Sequence, residues 1–237
     1  MTEFVKVRAF RADSYRMMLT DHIFAHDADA ANSPFGSLIN RLTQVDFANT
    51  EASTIASILR ETHSDATSLS RFANFVPDRY ARNGVYRNDC FELVVMCWPA
   101  NVRSAIHEHG GSRGFVRVER GSLLAENYTI VESDPQTGFA RLALDAKRTL
   151  TTGEVEIVVP GNDVHRVGAA GGKTAISLHL YARPLDTFFV FDEQQHTIRS
   201  CTSQYDMRPA GPMLAPDARP REKMKTPIVS AKSRRPA

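Results

Sequence analysis

From about Phe91 onward, the sequence is a succession of short runs of β-branched and aromatic residues separated by turn residues. The runs that predict strands are residues 91–98, 115–118, 122–130, 140–144, 155–159, 174–181 and 187–191. Strands at such short and regular spacing, with Gly and Pro between them, favour an all-β sandwich or barrel over alternating β-α-β units. The sequence therefore predicts a mainly β domain.

Ahead of these strands the sequence predicts α-helices. Two segments repeat the i, i+3, i+4, i+7 spacing of one helix face. The first consists of Phe35, Leu38, Ile39 and Leu42, and the second consists of Ile55, Ile58, Leu59 and Thr62. Side chains at this spacing form a stripe that packs against a core. We expect one domain at residues 34–206, with helices within 34–75 and the barrel at about 88–205. Residues 1–33 are interpreted as an N-terminal extension of helical character.

Composition limits the classes of partner. The chain of 237 residues has a formal net charge of +2, which does not favour nucleic-acid binding, and no apolar run approaches the length of a membrane span. The first residues lack the hydrophobic region of a secretion signal, and the three cysteines include no C-x-x-C pair, which fits a reducing cytoplasm. Residues 207–237 are rich in Pro, Ala and positive charge without periodicity, and we predict a disordered basic tail there.

A pair of histidines indicates a metal site. His107 and His109 are separated by one residue, so on a strand both imidazoles lie on the same face, with Ala105 on that face and Ile106 on the other. His165 follows a predicted strand and turn, and on a neighbouring strand it would complete a face of three neutral ligands. The alternative is a pair of histidines on a solvent-facing strand surface.

Two further groups of polar residues are candidates for a binding pocket. Ser177, His179 and Tyr181 share one face of a predicted strand, and they either line a pocket or face solvent. Tyr80 and Arg82 lie between the helical and β portions of the chain. Arg82 is either a surface residue or a fixed fork for a substrate carboxylate.

These residues belong to a longer ordered series that resembles a known family. The series is Tyr80-Ala81-Arg82-Asn83, Cys97-Trp98, Ser104 to His109, Gly121-Ser122-Leu123, His165-Arg166-Val167, Ser177 to Tyr181, Asp186-Thr187 and Phe191-Asp192. It resembles the cysteine dioxygenase family of thiol dioxygenases, a branch of the cupins, over about residues 34–204. The resemblance implies a small jelly-roll-like β-barrel with N-terminal helices.

The resemblance also implies a cofactor and roles for the candidate residues. It implies one Fe(II) per chain, held by His107, His109 and His165. Tyr80 and Arg82 match the residues that hold the substrate carboxylate. Tyr181 matches a tyrosine whose hydroxyl points at the reacting atoms, His179 its hydrogen-bonding partner, and Ser177 the residue behind it, so that these three are the candidate catalytic residues.

At two places the chain departs from the pattern of related proteins. Gly114 stands where most cupins carry a glutamate ligand and where mammalian-type cysteine dioxygenases carry a cysteine crosslinked to the tyrosine. We therefore expect a three-histidine site and an unmodified Tyr181, a pattern that looks bacterial. Arg183-Pro184 replaces the Pro-Pro of mammalian-type members, which bears on the rim of the pocket and on the substrate.

The resemblance implies a cytoplasmic enzyme that oxidises L-cysteine with O2 to cysteine sulfinic acid. The substrate alternatives are 3-mercaptopropionate and mercaptosuccinate. A zinc-dependent hydrolase or hydratase also uses three histidines, and a non-catalytic metal-binding cupin would keep the barrel without turnover. We expect a small thiol and O2 as partners, with no nucleic acid and no membrane, and a monomer or a weak homo-oligomer.

Overall fold

The computed structural model describes residues 35–62, 69–134, 136–161 and 163–208. The predicted N-terminal extension lies outside the described residues, and so does most of the predicted tail. Within the described part of the chain, no helix is long and apolar enough to cross a membrane.

Two helices of the described part precede the strands, α1 (Gly36–Thr43) and α2 (Ala52–Glu61). The apolar stripes predicted from the sequence face inward on both helices, and the buried members are Phe35, Leu38, Ile39, Leu42, Ile55 and Leu59. They form one core with the outward-facing side chains of the first sheet described below. Apolar burial of this kind is the main force that docks short helices on a sheet.

The strands of the described residues follow in chain order. They are β1 (Ala81–Arg87), β2 (Phe91–Trp98), β3 (Ile106–His107), β4 (Arg113–Arg120), β5 (Ser122–Asp134), β6 (Phe139–Thr151), β7 (Val155–Val158), β8 (His165–Ala169), β9 (Ala175–Ala182), β10 (Thr187–Asp192) and β11 (Thr197–Thr202). The predicted mainly β fold is confirmed. The structure adds β1, β8 and β11, which the sequence pattern did not predict as strands, and β1 lies upstream of the expected start of the barrel at about 88.

The strands form two antiparallel sheets. The first has the order β1-β2-β9-β4-β7, and the second has the order β10-β11-β6-β5-β8-β3. In the second sheet β3 also pairs with β10, so the hydrogen bonding closes on itself. Because side chains alternate along a strand, β2 and β9 each send one row toward the helices and the other row into the barrel. The inward rows build the wall of the candidate site.

Candidate metal centre and adjoining cavity

The three predicted histidines come together inside the barrel. His107 ends β3 and pairs directly with His165 at the start of β8. The ring centroids are 4.8 Å apart for His107–His165 and for His109–His165, and 5.0 Å apart for His107–His109. One ligating atom from each ring lies within 4.8 Å of the others, and this is the metal-binding cluster that the described residues contain. The solvent-facing alternative is therefore wrong.

His109 joins this cluster from just beyond the end of the strand that was predicted to carry it. The sequence pattern predicts one strand carrying both histidines, but β3 ends at His107 and the chain then turns. The Glu108 carboxylate accepts hydrogen bonds from the backbone N–H groups of Gly110 (2.6 Å) and Phe189 (2.5 Å), and Gly110 has a φ of +56°. A turn fastened by Glu108 therefore follows the strand and helps to place His109.

Hydrogen bonds orient two of the rings. Nδ1 of His107 donates to the Ala105 carbonyl at 3.0 Å, and Nδ1 of His109 donates to the Asp163 carbonyl at 3.1 Å. The Asp163 carboxylate also accepts from the backbone N–H of His109 at 3.0 Å. With Nδ1 engaged, Nε2 of each ring keeps its lone pair for a metal ion.

The protonation states of the cluster suit a cation. Burial lowers the pKa of His107 to about 3, and burial lowers the pKa of His165 well below its usual value. Both imidazoles are therefore neutral at pH 7, as metal binding requires. Three neutral nitrogen ligands fit Fe(II), and they also fit Zn(II) or copper, because imidazole suits all of these ions.

Gly114 lies beside the cluster. A Cβ atom at this position would be 3.7 Å from Cδ2 of His109 and 3.8 Å from Cε1 of Tyr181. A carboxylate or a thiol at this position would therefore adjoin both the histidines and the tyrosine ring. The glycine supplies neither group, which leaves the cluster with three histidines.

The predicted polar row on β9 faces the interior of the barrel. Ser177, His179 and Tyr181 are all buried, while the alternate residues of the strand pack toward the helices. Trp98 Nε1 donates to Ser177 Oγ at 2.9 Å, Ser177 Oγ lies 2.8 Å from His179 Nε2, and His179 Nδ1 lies 3.2 Å from the Tyr181 hydroxyl. The solvent-facing alternative is excluded for this row.

One assignment of protons runs in a single direction along this chain of hydrogen bonds. Trp98 donates to Ser177 and cannot accept, and in this assignment the Ser177 hydroxyl donates its own proton to Nε2 of His179. Burial lowers the pKa of His179 well below its usual value, so the ring carries one proton, which in this assignment lies on Nδ1 and is donated to the Tyr181 oxygen. Burial also raises the pKa of Tyr181 to about 12. Tyr181 therefore keeps its own proton at pH 7, and in this assignment it can donate that proton to another acceptor.

Arg82 lies on β1 and is buried rather than on the surface. Its Nη2 forms an ion pair with Glu92 of β2, and its guanidinium carbon lies 5.1 Å from the centroid of the Tyr181 ring and 5.3 Å from that of the Tyr205 ring. Nε is buried and has no hydrogen-bond partner among the described residues. Tyr80 stacks near Trp98, with ring centroids 4.9 Å apart.

A single cavity of about 400 Å³ joins these groups. The predicted site residues in its wall are Tyr80, Arg82, His107, His165, His179 and Tyr181. His109 and Ser177 lie behind this wall, in contact with its members. The cavity is large enough for a small amino acid and is lined by both polar and aromatic groups, as small-molecule sites commonly are.

Sequence reasoning missed several residues that hold this site together. They are Glu92, Trp98 as a hydrogen-bond donor, Glu108, Asp163 and Tyr205. Glu92 left a signal in the sequence, because one carboxylate within the otherwise apolar run 91–98 has to find a buried partner. The others depend on contacts that no local pattern indicates.

Comparison with known proteins gives the family of the chain. The family described as cysteine dioxygenase type I matches residues 26–194. Human cysteine dioxygenase type 1 is 28% identical over 159 residues, which cover 66% of this chain and 76% of the human protein. The rat protein of the same name is 29% identical over 142 residues, which cover 59% and 69% of the two chains. Among solved structures, a protein with a double-stranded β-helix domain from Klebsiella pneumoniae covers 55% of this chain and 93% of its own, with 18% identity and a TM-score of 0.43.

The family match spans well over half of the chain. It includes the three clustered histidines, the polar row on β9 and Arg82. The relatives share the name of one enzyme, and the described residues contain a metal-binding cluster of the kind that a metal-dependent cupin enzyme needs. The chain belongs to the cysteine dioxygenase type I family.

Proposed function

We propose that this protein is an Fe(II)-dependent thiol dioxygenase that converts L-cysteine and O2 to cysteine sulfinic acid. The observation that carries the proposal is a three-histidine cluster beside a cavity whose wall contains a buried arginine and two of these histidines. Both oxygen atoms of O2 end on sulfur, so R–S⁻ and O2 give R–SO2⁻ and no external reductant is needed. The family of the chain supports the same reaction class.

His107, His109 and His165 are the proposed ligands. The iron that they hold would supply a redox-active Lewis acid for O2 and for the thiol. Because the three ligands are neutral, they leave the full charge of the ion to attract an anionic substrate. The Nδ1 hydrogen bonds of His107 and His109 keep both rings aimed at the same point before the ion arrives.

Arg82 is the proposed binding group for the substrate carboxylate, with Tyr80 beside it. A buried guanidinium that offers donors to a cavity is well suited to a carboxylate, because charge-assisted hydrogen bonds are strong where water is excluded. Holding the carboxylate at one end of the cavity and the thiol at the metal would fix the orientation of the substrate. Fixed orientation of this kind contributes several kcal/mol to lowering a barrier.

Tyr181, His179 and Ser177 are the proposed catalytic residues. The Tyr181 hydroxyl keeps its proton at neutral pH and is free to donate it toward the negative charge on the reacting sulfur and oxygen atoms. His179 and Ser177 hold that hydroxyl in place, and Trp98 donates a hydrogen bond to the far end of this chain. The three residues thus present one oriented donor to the reacting centre.

The proposal is tested by loading the protein with Fe(II) without oxygen and then measuring O2 uptake with L-cysteine, 3-mercaptopropionate and mercaptosuccinate. We expect one O2 to be consumed for each sulfinate formed, and the fastest turnover with L-cysteine. A preference for another thiol acid would change the substrate but keep the reaction class. Absence of O2 uptake with all three thiols would overturn the proposal, and zinc binding together with hydrolysis or hydration of a substrate would then support the zinc-enzyme alternative.

A further inference from the structure

Glu92 is a buried carboxylate in the interior row of β2. Its side chain has no exposed surface, and its cross-strand neighbour on β9 is Tyr181. Oε1 accepts from Nη2 of Arg82 and from the backbone N–H of Leu185, the latter at 3.0 Å. Oε2 accepts from the hydroxyl of Tyr205 and lies 3.7 Å from Nη1 of Arg87. A buried charge is tolerated only when it is engaged in this way.

The partners of Glu92 indicate what it holds. Arg87 already has an ion pair with Asp186 at 2.7 Å, so Glu92 is not needed to neutralise it. The side chains that form hydrogen bonds with Glu92 are instead Arg82 and Tyr205, and both of these residues line the cavity. Glu92 therefore acts on the wall of the cavity although it does not itself line it.

The effect on Arg82 is to hold it in one orientation. Glu92 engages the Nη2 end of the guanidinium, and the rings of Tyr181 and Tyr205 lie over it at 5.1 and 5.3 Å. Among the described residues no second carboxylate pairs with Arg82 and its Nε has no hydrogen-bond partner, so the guanidinium keeps hydrogen-bonding capacity beyond its contacts with Glu92 and Tyr181. A guanidinium that is held in this way does not have to be ordered when the ligand binds.

We propose that Glu92 is a positioning residue that orients Arg82 for the carboxylate of the substrate. The inference rests on the proposed function of Arg82. A positioning role differs from a general stabilising role, because it predicts that the effect of Glu92 on substrate binding depends on the presence of Arg82.

The test is a double-mutant cycle with Glu92→Gln, Arg82→Gln and the double variant in the Fe(II)-loaded protein. We expect Glu92→Gln to raise KM for L-cysteine by about tenfold or more, with a smaller change in kcat, because a coupling of this size is typical of groups in direct contact. In the Arg82→Gln background we expect Glu92→Gln to change kcat/KM by about twofold at most. Glu92→Asp keeps the carboxylate and is expected to recover part of the loss.

Glu126→Gln is the matched control. Glu126 is also buried and paired with cations, namely Arg103, Lys147 and Arg166, but it lies outside the wall of the cavity. We expect this variant to lose stability and to keep KM within about twofold, because Glu126 does not line the cavity and is not paired with Arg82. Urea unfolding of every variant checks that each protein is folded under the conditions in which KM is measured.

The same cycle is also measured by anaerobic calorimetric titration of the Zn(II)-loaded proteins with L-cysteine, which does not require turnover. Equal losses from Glu92→Gln in both backgrounds would show a structural role only and would overturn this inference while leaving the proposed function intact. A wild-type protein that binds L-cysteine without consuming O2 would overturn the proposed function. The titration would still test whether Glu92 acts through Arg82. Absence of L-cysteine binding to the wild-type protein would overturn both L-cysteine as the substrate and the proposed role of Glu92.

Discussion

Glu156 on β7 is a buried carboxyl group that the proposed site does not use. It pairs in register with Val116 of β4, whose side chain belongs to the interior of the barrel. Its Oε2 has no hydrogen-bond partner among the described residues. Burial raises the pKa of Glu156, and the nearby Arg148 and His109 oppose this only in part. The ionised form of this residue therefore opposes folding.

We expect Glu156→Gln to stabilise the protein at neutral pH. A group whose pKa is raised in the folded state contributes stability below its unfolded pKa, and that stability is lost as the pH rises through the folded pKa. The gain from the substitution should accordingly be near zero at pH 4 and reach about 1 kcal/mol at pH 7, the usual order for a buried group without a partner. Urea unfolding of the metal-free wild-type and Glu156→Gln proteins across this pH range measures the gain in stability.

Glu154 provides a control of opposite sign, two residues away. Hydrogen bonds from the backbone N–H and the hydroxyl of Thr151 hold the pKa of Glu154 below its usual value. Its contribution to stability is present above its unfolded pKa and is lost as the pH falls through the folded pKa. Glu154→Gln should therefore lower stability at pH 7. If both variants changed stability in the same direction with pH, the account of Glu156 would be wrong.

At the scale of the element, β3 contributes to the site mainly through the turn that follows it. The strand has two residues and pairs with β8 on one side and β10 on the other. The backbone then turns at Gly110, where φ is +56° and a Cβ atom would lie 2.3 Å from the Thr187 carbonyl oxygen. Only glycine allows this approach without moving β10. The position of His109 depends on that turn.

We expect Gly110→Ala to destabilise the protein by about 1–3 kcal/mol, since it adds both backbone strain and overpacking. Displacing His109 should also weaken Zn(II) binding by about tenfold or more, on the order seen when the support of a ligand is lost. Urea unfolding and competition with a chelator measure the two effects. Gly153→Ala is the control, because Gly153 has a φ of +89° but a Cβ atom there would meet nothing within 4 Å. Equal loss of Zn(II) affinity in both variants would contradict this role of the turn.

At the scale of the whole molecule, residues near the end of the described chain form one side of the cavity wall. Asp206 accepts from the backbone N–H of Arg82 at 2.8 Å and donates its own backbone N–H to the Arg82 carbonyl at 2.8 Å. Met207, which the sequence pattern assigns to the tail, accepts from the backbone N–H of Gly84 at 2.8 Å. This segment lies beyond residue 194, where the family match ends, and it completes the wall that carries Arg82.

Two truncations test this arrangement. Ending the chain after Arg208 should change the free energy of unfolding by no more than about 0.5 kcal/mol, as expected if the remaining residues form the predicted disordered tail. Ending it after Thr202 should cost more than about 1 kcal/mol, since several backbone hydrogen bonds and the Tyr205 contact with Glu92 are lost. It should also raise KM for L-cysteine. Urea unfolding measures the free energy of unfolding, and O2 uptake measures KM. Equal values of both quantities for the two truncations would contradict a role for the segment.

Local sequence patterns predicted much of this protein. The alternation of apolar residues indicated β2, β9 and the two helices, because a side chain that faces the core recurs with the period of the element. The histidines and the polar row were identified for the same reason, since His107 and the triplet Ser177, His179 and Tyr181 lie on inward faces of strands. The ordered series of motifs indicated the family. All of this information is local in the chain.

The tertiary structure decided the remainder, because it depends on residues that are distant in sequence. Glu92 is 10 residues from Arg82 and 113 residues from Tyr205, and only the packing of β1, β2 and the C-terminal segment brings the three together. His109 is held in the metal-binding cluster by the turn that follows β3 and by Asp163, 54 residues away, in addition to the strand spacing. The sequence by itself thus determined which groups face the interior. Contacts between distant elements determined how those groups are held, since a buried charge or a tight turn is stable only where its partners meet it.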